Sequence, residues 1–107
     1  MKLEYTHNLP QDQAVKKLAP FLEQLKTQYG DKIKIVKEEW KDNILSFRIK
    51  VKTGIPFVEP EIPGLITVED NRLWAEAPVP AFAESLATEA QVKFTEVLNR
   101  CFQSEAI

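Results

Sequence analysis

One histidine, one cysteine and three scattered glycines leave this chain short of the usual equipment for chemistry. His7 has no neighbouring group in sequence to orient it as a general base, and reads as a residue of a helix entrance. Cys101 cannot form an internal disulfide framework, which removes the main sequence argument for a secreted protein. It falls on an apolar helical stripe, where cysteine behaves as a small hydrophobe. Gly30, Gly54 and Gly64 are too far apart to build a phosphate-cradling loop. No Cys, His and carboxylate spacing suits a metal. The expectation is therefore a non-enzyme with no catalytic residue, no metal and no cofactor. Charge of one sign is lacking as well: 14 basic against 16 acidic residues give a net charge of −2. Such a balance supplies no global field toward nucleic acid. No stretch approaches the roughly 18 consecutive apolar residues of a membrane span. The opening segment MKLEYTHNLP lacks the apolar run of a signal peptide or anchor. The expected location is the cytoplasm.

What is present is a strongly patterned chain of 107 residues, 44% hydrophobic and 28% charged, suited to one domain spanning 1–107. Leu3 and Tyr5 alternate with polar residues and suggest a short first strand. From Gln11 to Tyr29 the period changes: Val15, Leu18, Leu22, Leu25 and Tyr29 recur at helical steps. Pro10 suits the entrance and Gly30 the exit of that helix. Pro20 sits inside it, but the stripe keeps phase on both sides, so one kinked helix is expected.

Ile33 and Ile35 then alternate with lysines up to Trp40, and Lys41-Asp42-Asn43 supplies turn chemistry. Leu45, Phe47, Ile49 and Val51 alternate with Ser46, Arg48, Lys50 and Lys52, the clearest strand in the chain. Together these runs predict a hairpin with one dry and one basic face. The glycines and prolines of 53–64 argue against a regular strand there. Leu65–Val68 and Arg72–Ala77 form a second pair of strands around Glu69-Asp70-Asn71, and Pro78-Val79-Pro80 closes the sheet. Phe82, Leu86, Ala90, Phe94, Val97, Cys101 and Phe102 make a long C-terminal helix, and a capping box at Thr88 and Gln91 suggests that its regular part starts there. The fold class is thus α+β: an antiparallel sheet of four or five strands, with an N-terminal and a C-terminal helix packed on one face.

Three surfaces are candidates for function. Trp40, Phe47, Phe57, Trp74 and Phe82 come from separate elements and could line a ligand pocket between sheet and helix. Ile55, Phe57, Val58 and Ile62 are too apolar for a free loop and mark an interaction surface rimmed by Glu59 and Glu61. Arg48, Lys50 and Lys52, joined across the hairpin by Lys32 or Lys34, form a basic patch. Phe47 points away from that patch, which makes it a poor nucleic-acid site.

With the elements laid out, the chain resembles the bacterial polyhydroxyalkanoic acid system proteins, also called granule-region proteins. The resemblance rests on His7-Asn8-Leu9, Ala14 early in the first helix, Tyr29-Gly30 at its end, and Trp40 before a tight polar turn. Leu45-Ser46-Phe47 and Gly64-Leu65-Ile66-Thr67-Val68 continue it. It spans His7 to Phe102, departing at Thr53–Pro63, which is longer and richer in proline than the family's connection. It implies an accessory role in polyester storage, through a protein partner, a homo-oligomer or the storage-granule surface, and it carries no catalytic residue with it. A binder of a small hydrophobic ligand such as an acyl chain, and a nucleic-acid-associated regulator, are the alternatives.

Overall fold

The computed structural model describes residues 2–52, 54–78 and 84–103, the last stretch with side chains from Gln91 onward. Expectations placed on Thr53, on Val79, Pro80 and Phe82, and on the side chains of Leu86, Thr88 and Ala90 fall outside the described residues.

The chain is α+β and its five strands form one antiparallel sheet. These are β1 (Lys2–Thr6), β2 (Ile33–Lys41), β3 (Ile44–Val51), β4 (Glu61–Val68) and β5 (Arg72–Glu76). Their order across the sheet is β1-β5-β4-β3-β2, a meander from β2 to β5 with β1 added beside β5. The helices are α1 (Gln11–Leu18), α2 (Phe21–Tyr29) and α3 (Glu84–Gln103). Among the described residues no helix is long and apolar enough to cross a membrane.

The expected single kinked helix is two helices. Pro20 (φ −83°, ψ 11°) has no N–H to donate, and the helix breaks between Leu18 and Phe21. Each segment closes its own end: Ala19 N–H reaches Val15 O at 3.1 Å, and Gln24 N–H reaches Pro20 O at 2.9 Å. The stripe does keep its phase, since Ala14, Leu18, Phe21, Leu22 and Leu25 are all buried. Helix α3 already runs from Glu84, ahead of the start suggested by a capping box at Thr88.

In the hairpin, Asp42 takes the left-handed conformation at φ 55° and β2 turns into β3. Leu45, Phe47 and Ile49 are buried and Val51 packs at the edge of the core, while Arg48 is exposed. Strand β2 holds a bulge between Ile35 and Lys37. Ile33 and Ile35 share one parity and Trp40 the other, so an unbroken strand would send Trp40 to the wrong face. One extra residue, Val36, shifts the register and turns Trp40 inward, opposite Leu45.

Strand β4 begins at Glu61, inside the segment where prolines argued against one. Residues 61–64 pair with β3, Pro63 facing Arg48 and Gly64 facing Phe47. The bonds Val51 N–H to Pro60 O (3.1 Å) and Val68 N–H to Asn43 O (2.9 Å) fix the alternation. They turn the even-numbered residues of β4 toward β3 and the odd-numbered ones toward β5. The missing donor of Pro63 therefore costs no bond to β3. On the other side, Leu65 pairs with Glu76, so the next hydrogen-bonded rung would join Pro63 to Pro78. Neither has an N–H, and the β4–β5 ladder stops at Leu65, leaving a notch in the sheet beside 61–64.

One hydrophobic cluster joins the helices to the sheet. At its centre Phe21, Phe47 and Phe94 meet, with ring centroids 5.0 Å apart for Phe21–Phe94 and 6.2 Å for each of the other two pairs.

Candidate functional site

The four described members of the aromatic set do not meet in one cavity. Phe47 is used by the phenylalanine trio of the core. Trp40 is half-buried at the core's margin. Trp74 alternates with the buried Leu73 and Ala75, so it lies on the opposite face of the sheet. There its indole N–H donates to Glu69 Oε1 at 2.8 Å, and the Arg72 guanidinium sits 5.2 Å from its ring centre. Phe57 is fully exposed, and Phe82 is outside the described residues. A depression of about 640 Å³ among the described residues is the open notch on Trp74's face of the sheet. Pro63, Gly64 and Leu65 floor it, and Lys2, Arg48 and Glu76 rim it.

The two groups with catalytic chemistry are both occupied. His7 Nδ1 accepts the Leu9 N–H at 3.0 Å, which puts the ring proton on Nε2, 3.1 Å from Glu69 O. The ring also stacks on Phe102, at 5.2 Å and 11°. His7 thus staples the entrance of α1 to the β4–β5 turn. Cys101 is buried, and desolvation pushes its thiol up to about 11. Alkylation by iodoacetamide at pH 8 should accordingly run at least about 100-fold slower in the folded protein than in the urea-unfolded chain, because only the thiolate reacts. Comparable rates, followed by mass spectrometry, would place Cys101 at the surface. Among the described residues no group of His, Cys, Asp and Glu gathers to hold a metal ion.

The segment expected to make contacts holds the one aromatic residue with a positive φ among the described residues. Ile55-Pro56-Phe57-Val58 is a tight turn closed by Val58 N–H to Ile55 O at 3.1 Å. Pro56 occupies the position where its fixed φ is welcome, and Phe57 follows at φ 66°. That is a type II arrangement, which normally places Gly or Asn at this second central position. An aromatic side chain there is strained by about 1–2 kcal/mol. The turn leaves Phe57 entirely in solvent, beside Ile55 at 61% exposure. Of the four residues singled out for contact, these two are exposed. Val58 is half-buried, and Ile62 pairs with Ile49 and packs on the core. Pro56 in the sequence signals a turn, but no local signal announces that the left-handed position falls on Phe57.

The basic patch divides into two parts. Arg48 is neutralised across the strands by Glu61 at 3.3 Å. Lys34 stands directly opposite Lys50. Lys52 N–H donates to Lys32 O at 2.9 Å, which carries the same register on to a second lysine pair.

No family model, no curated protein and no solved structure matches the chain.

Proposed function

We propose that the protein is a non-enzymatic, cytoplasmic accessory factor that works by surface contact, as its likeness to the granule-region proteins implies, and that the turn at 55–58 is its contact element. In this reading the helices at the two ends of the chain cover one face of the sheet and leave the rest to partners. The carrying observation is Phe57: fully exposed, and held at φ 66° where glycine would be relaxed. A solvated loop has no reason to keep both penalties. A pocket lined by Trp40, Phe47, Phe57, Trp74 and Phe82 has less support, because Trp74 and Phe47 lie on opposite faces of the sheet. The partner is the surface of a polyester granule, a partner protein or a second copy of the chain.

Two substitutions test the contact element. Phe57→Gly relaxes the turn, and after the flexibility glycine adds to the unfolded chain it should stabilise the fold by about 0.5–1 kcal/mol. The same change should weaken adsorption to dispersed poly(3-hydroxybutyrate) particles at least about tenfold, the worth of one buried phenylalanine. Phe57→Asp should abolish adsorption, and native mass spectrometry of both variants reports on any dimer the tip holds together. Wild-type adsorption and oligomer mass in both variants would remove the tip from the function.

A further inference from the structure

Lys34 and Lys50 form a cross-strand pair of like charge at the end of the β2–β3 hairpin, and Lys32 and Lys52, joined by Lys52 N–H to Lys32 O at 2.9 Å, continue it just beyond the strand ends. Like charges directly opposite one another destabilise a sheet. Elsewhere the strand cations that face charge have carboxylate partners, including Lys37, which stands opposite Arg48 and pairs with Glu39 at 3.3 Å. Arg48 meets Glu61 at 3.3 Å, Arg72 meets Glu4 at 3.6 Å, and Lys2 meets Glu76 at 3.6 Å. None of the four lysines is ion-paired among the described residues. Asp31 and Glu59 are the nearby carboxylates in sequence, since Glu61 is engaged by Arg48, and they leave the lysines in excess.

The tip and the lysines belong to the same end of the sheet. The loop that carries Phe57 leaves β3 through Lys52 and re-enters the sheet at Glu61, the residue opposite Lys50. Exposed apolar side chains beside a cluster of unneutralised lysines match the chemistry of a charged lipid interface. The apolar groups enter the headgroup boundary and the ammonium groups stay at the phosphate level. We infer that the Ile55–Phe57 tip and the Lys32, Lys34, Lys50 and Lys52 quartet together dock the protein on an anionic lipid surface. This rests on the tip being a contact element and adds the identity of the surface. Nucleic acid is the weaker match, because the tip offers one aromatic between aliphatic neighbours rather than a stacking platform.

The test is co-sedimentation of the full chain with phosphatidylcholine vesicles and with vesicles of equal parts phosphatidylcholine and phosphatidylglycerol. The wild type should bind the mixed vesicles, weaken with added sodium chloride, and leave pure phosphatidylcholine largely unbound. A double variant, Lys34→Glu with Lys52→Glu, converts both lysine pairs into opposite-charge pairs. It should melt no lower than the wild type yet bind the mixed vesicles at least about 25-fold more weakly, at roughly fivefold per lysine lost. Phe57→Asp should lose binding with the lysines intact. Equal binding by the double variant overturns the inference, as does equal binding to both vesicles. Binding to a single-stranded oligonucleotide but to neither vesicle would assign the lysines to nucleic acid. Absence of vesicle binding, with loss of particle adsorption or of a dimer in Phe57→Asp, would overturn the lipid surface while leaving the contact element standing.

Discussion

Phe47→Ala should lower the free energy of unfolding by about 3–5 kcal/mol, the range of a buried aromatic whose cavity collapses only in part. Phe47 is 3% exposed and its ring is shared between Phe21 and Phe94, one from each helical region of the chain. No neighbour is free to fill the space, because the strand partner on its β4 side is Gly64, which has no side chain. Three residues along the same strand, Lys50→Ala should change stability by less than about 0.5 kcal/mol. Lys50 lies between Lys34 on β2 and Glu61 on β4, so the repulsion relieved and the attraction lost largely offset. Urea melts of the two variants read the register directly. Equal midpoints would mean that β3 presents its other face to the core.

Gly64→Ala should lower the free energy of unfolding by about 1–3 kcal/mol, although it adds only a methyl group. A Cβ at Gly64 would fall inside the Phe47 ring, which lies flat against that stretch of backbone. A glycine in a strand is normally a weakness. Here it is the space that an aromatic from the next strand occupies, and the ring shields the bare backbone. The added methyl must push the ring into Phe21 and Phe94, an overpacking that costs about 1–3 kcal/mol or more. The cause can be isolated in a double-mutant cycle. In the Phe47→Ala background the same Gly64→Ala change meets no ring, so most of its cost should vanish, giving a coupling of about 1–3 kcal/mol. Additive losses would show that the ring and the glycine are not in contact.

Both predictions concern packing beside the notch. Gly64 and Pro63 floor the groove on the face opposite the core, and Pro63 with Pro78 ends the β4–β5 ladder beside it. The exposed edge at 61–64 offers few donors to another strand, so edge-to-edge pairing is discouraged at the place where the sheet is least complete. Strand β2, the free edge on the other side, is guarded by lysines and by the bulge at Val36.

The sequence by itself determined the elements whose causes are local. Alternation from Leu45 to Val51 settles which face of β3 is dry, because successive side chains point to opposite sides. The helical stripe of 11–29 and the punctuation at Pro10, Gly30 and Asp42-Asn43 work the same way, over a turn or two of chain. The composition of 53–64 raised the expectation of a contact segment for a comparable reason, since apolar residues fixed by proline must either lie on something or wait for it; of its apolar residues Ile55 and Phe57 are exposed. Tertiary structure decided whatever depends on residues far apart. Pro63 is acceptable in β4 only because its missing donor points at Pro78, a meeting that exists once β4 and β5 are in register. Val36 becomes a bulge only because Ile35 and Trp40, of opposite parity, must both face one core. Trp74 left the aromatic set for the same kind of reason: pairing with β4 assigned its strand a phase that five adjacent residues cannot state. Phe57's left-handed turn and the stacking of lysine on lysine across the hairpin are likewise products of closure and register, each locally unfavourable and each held in place by the rest of the fold.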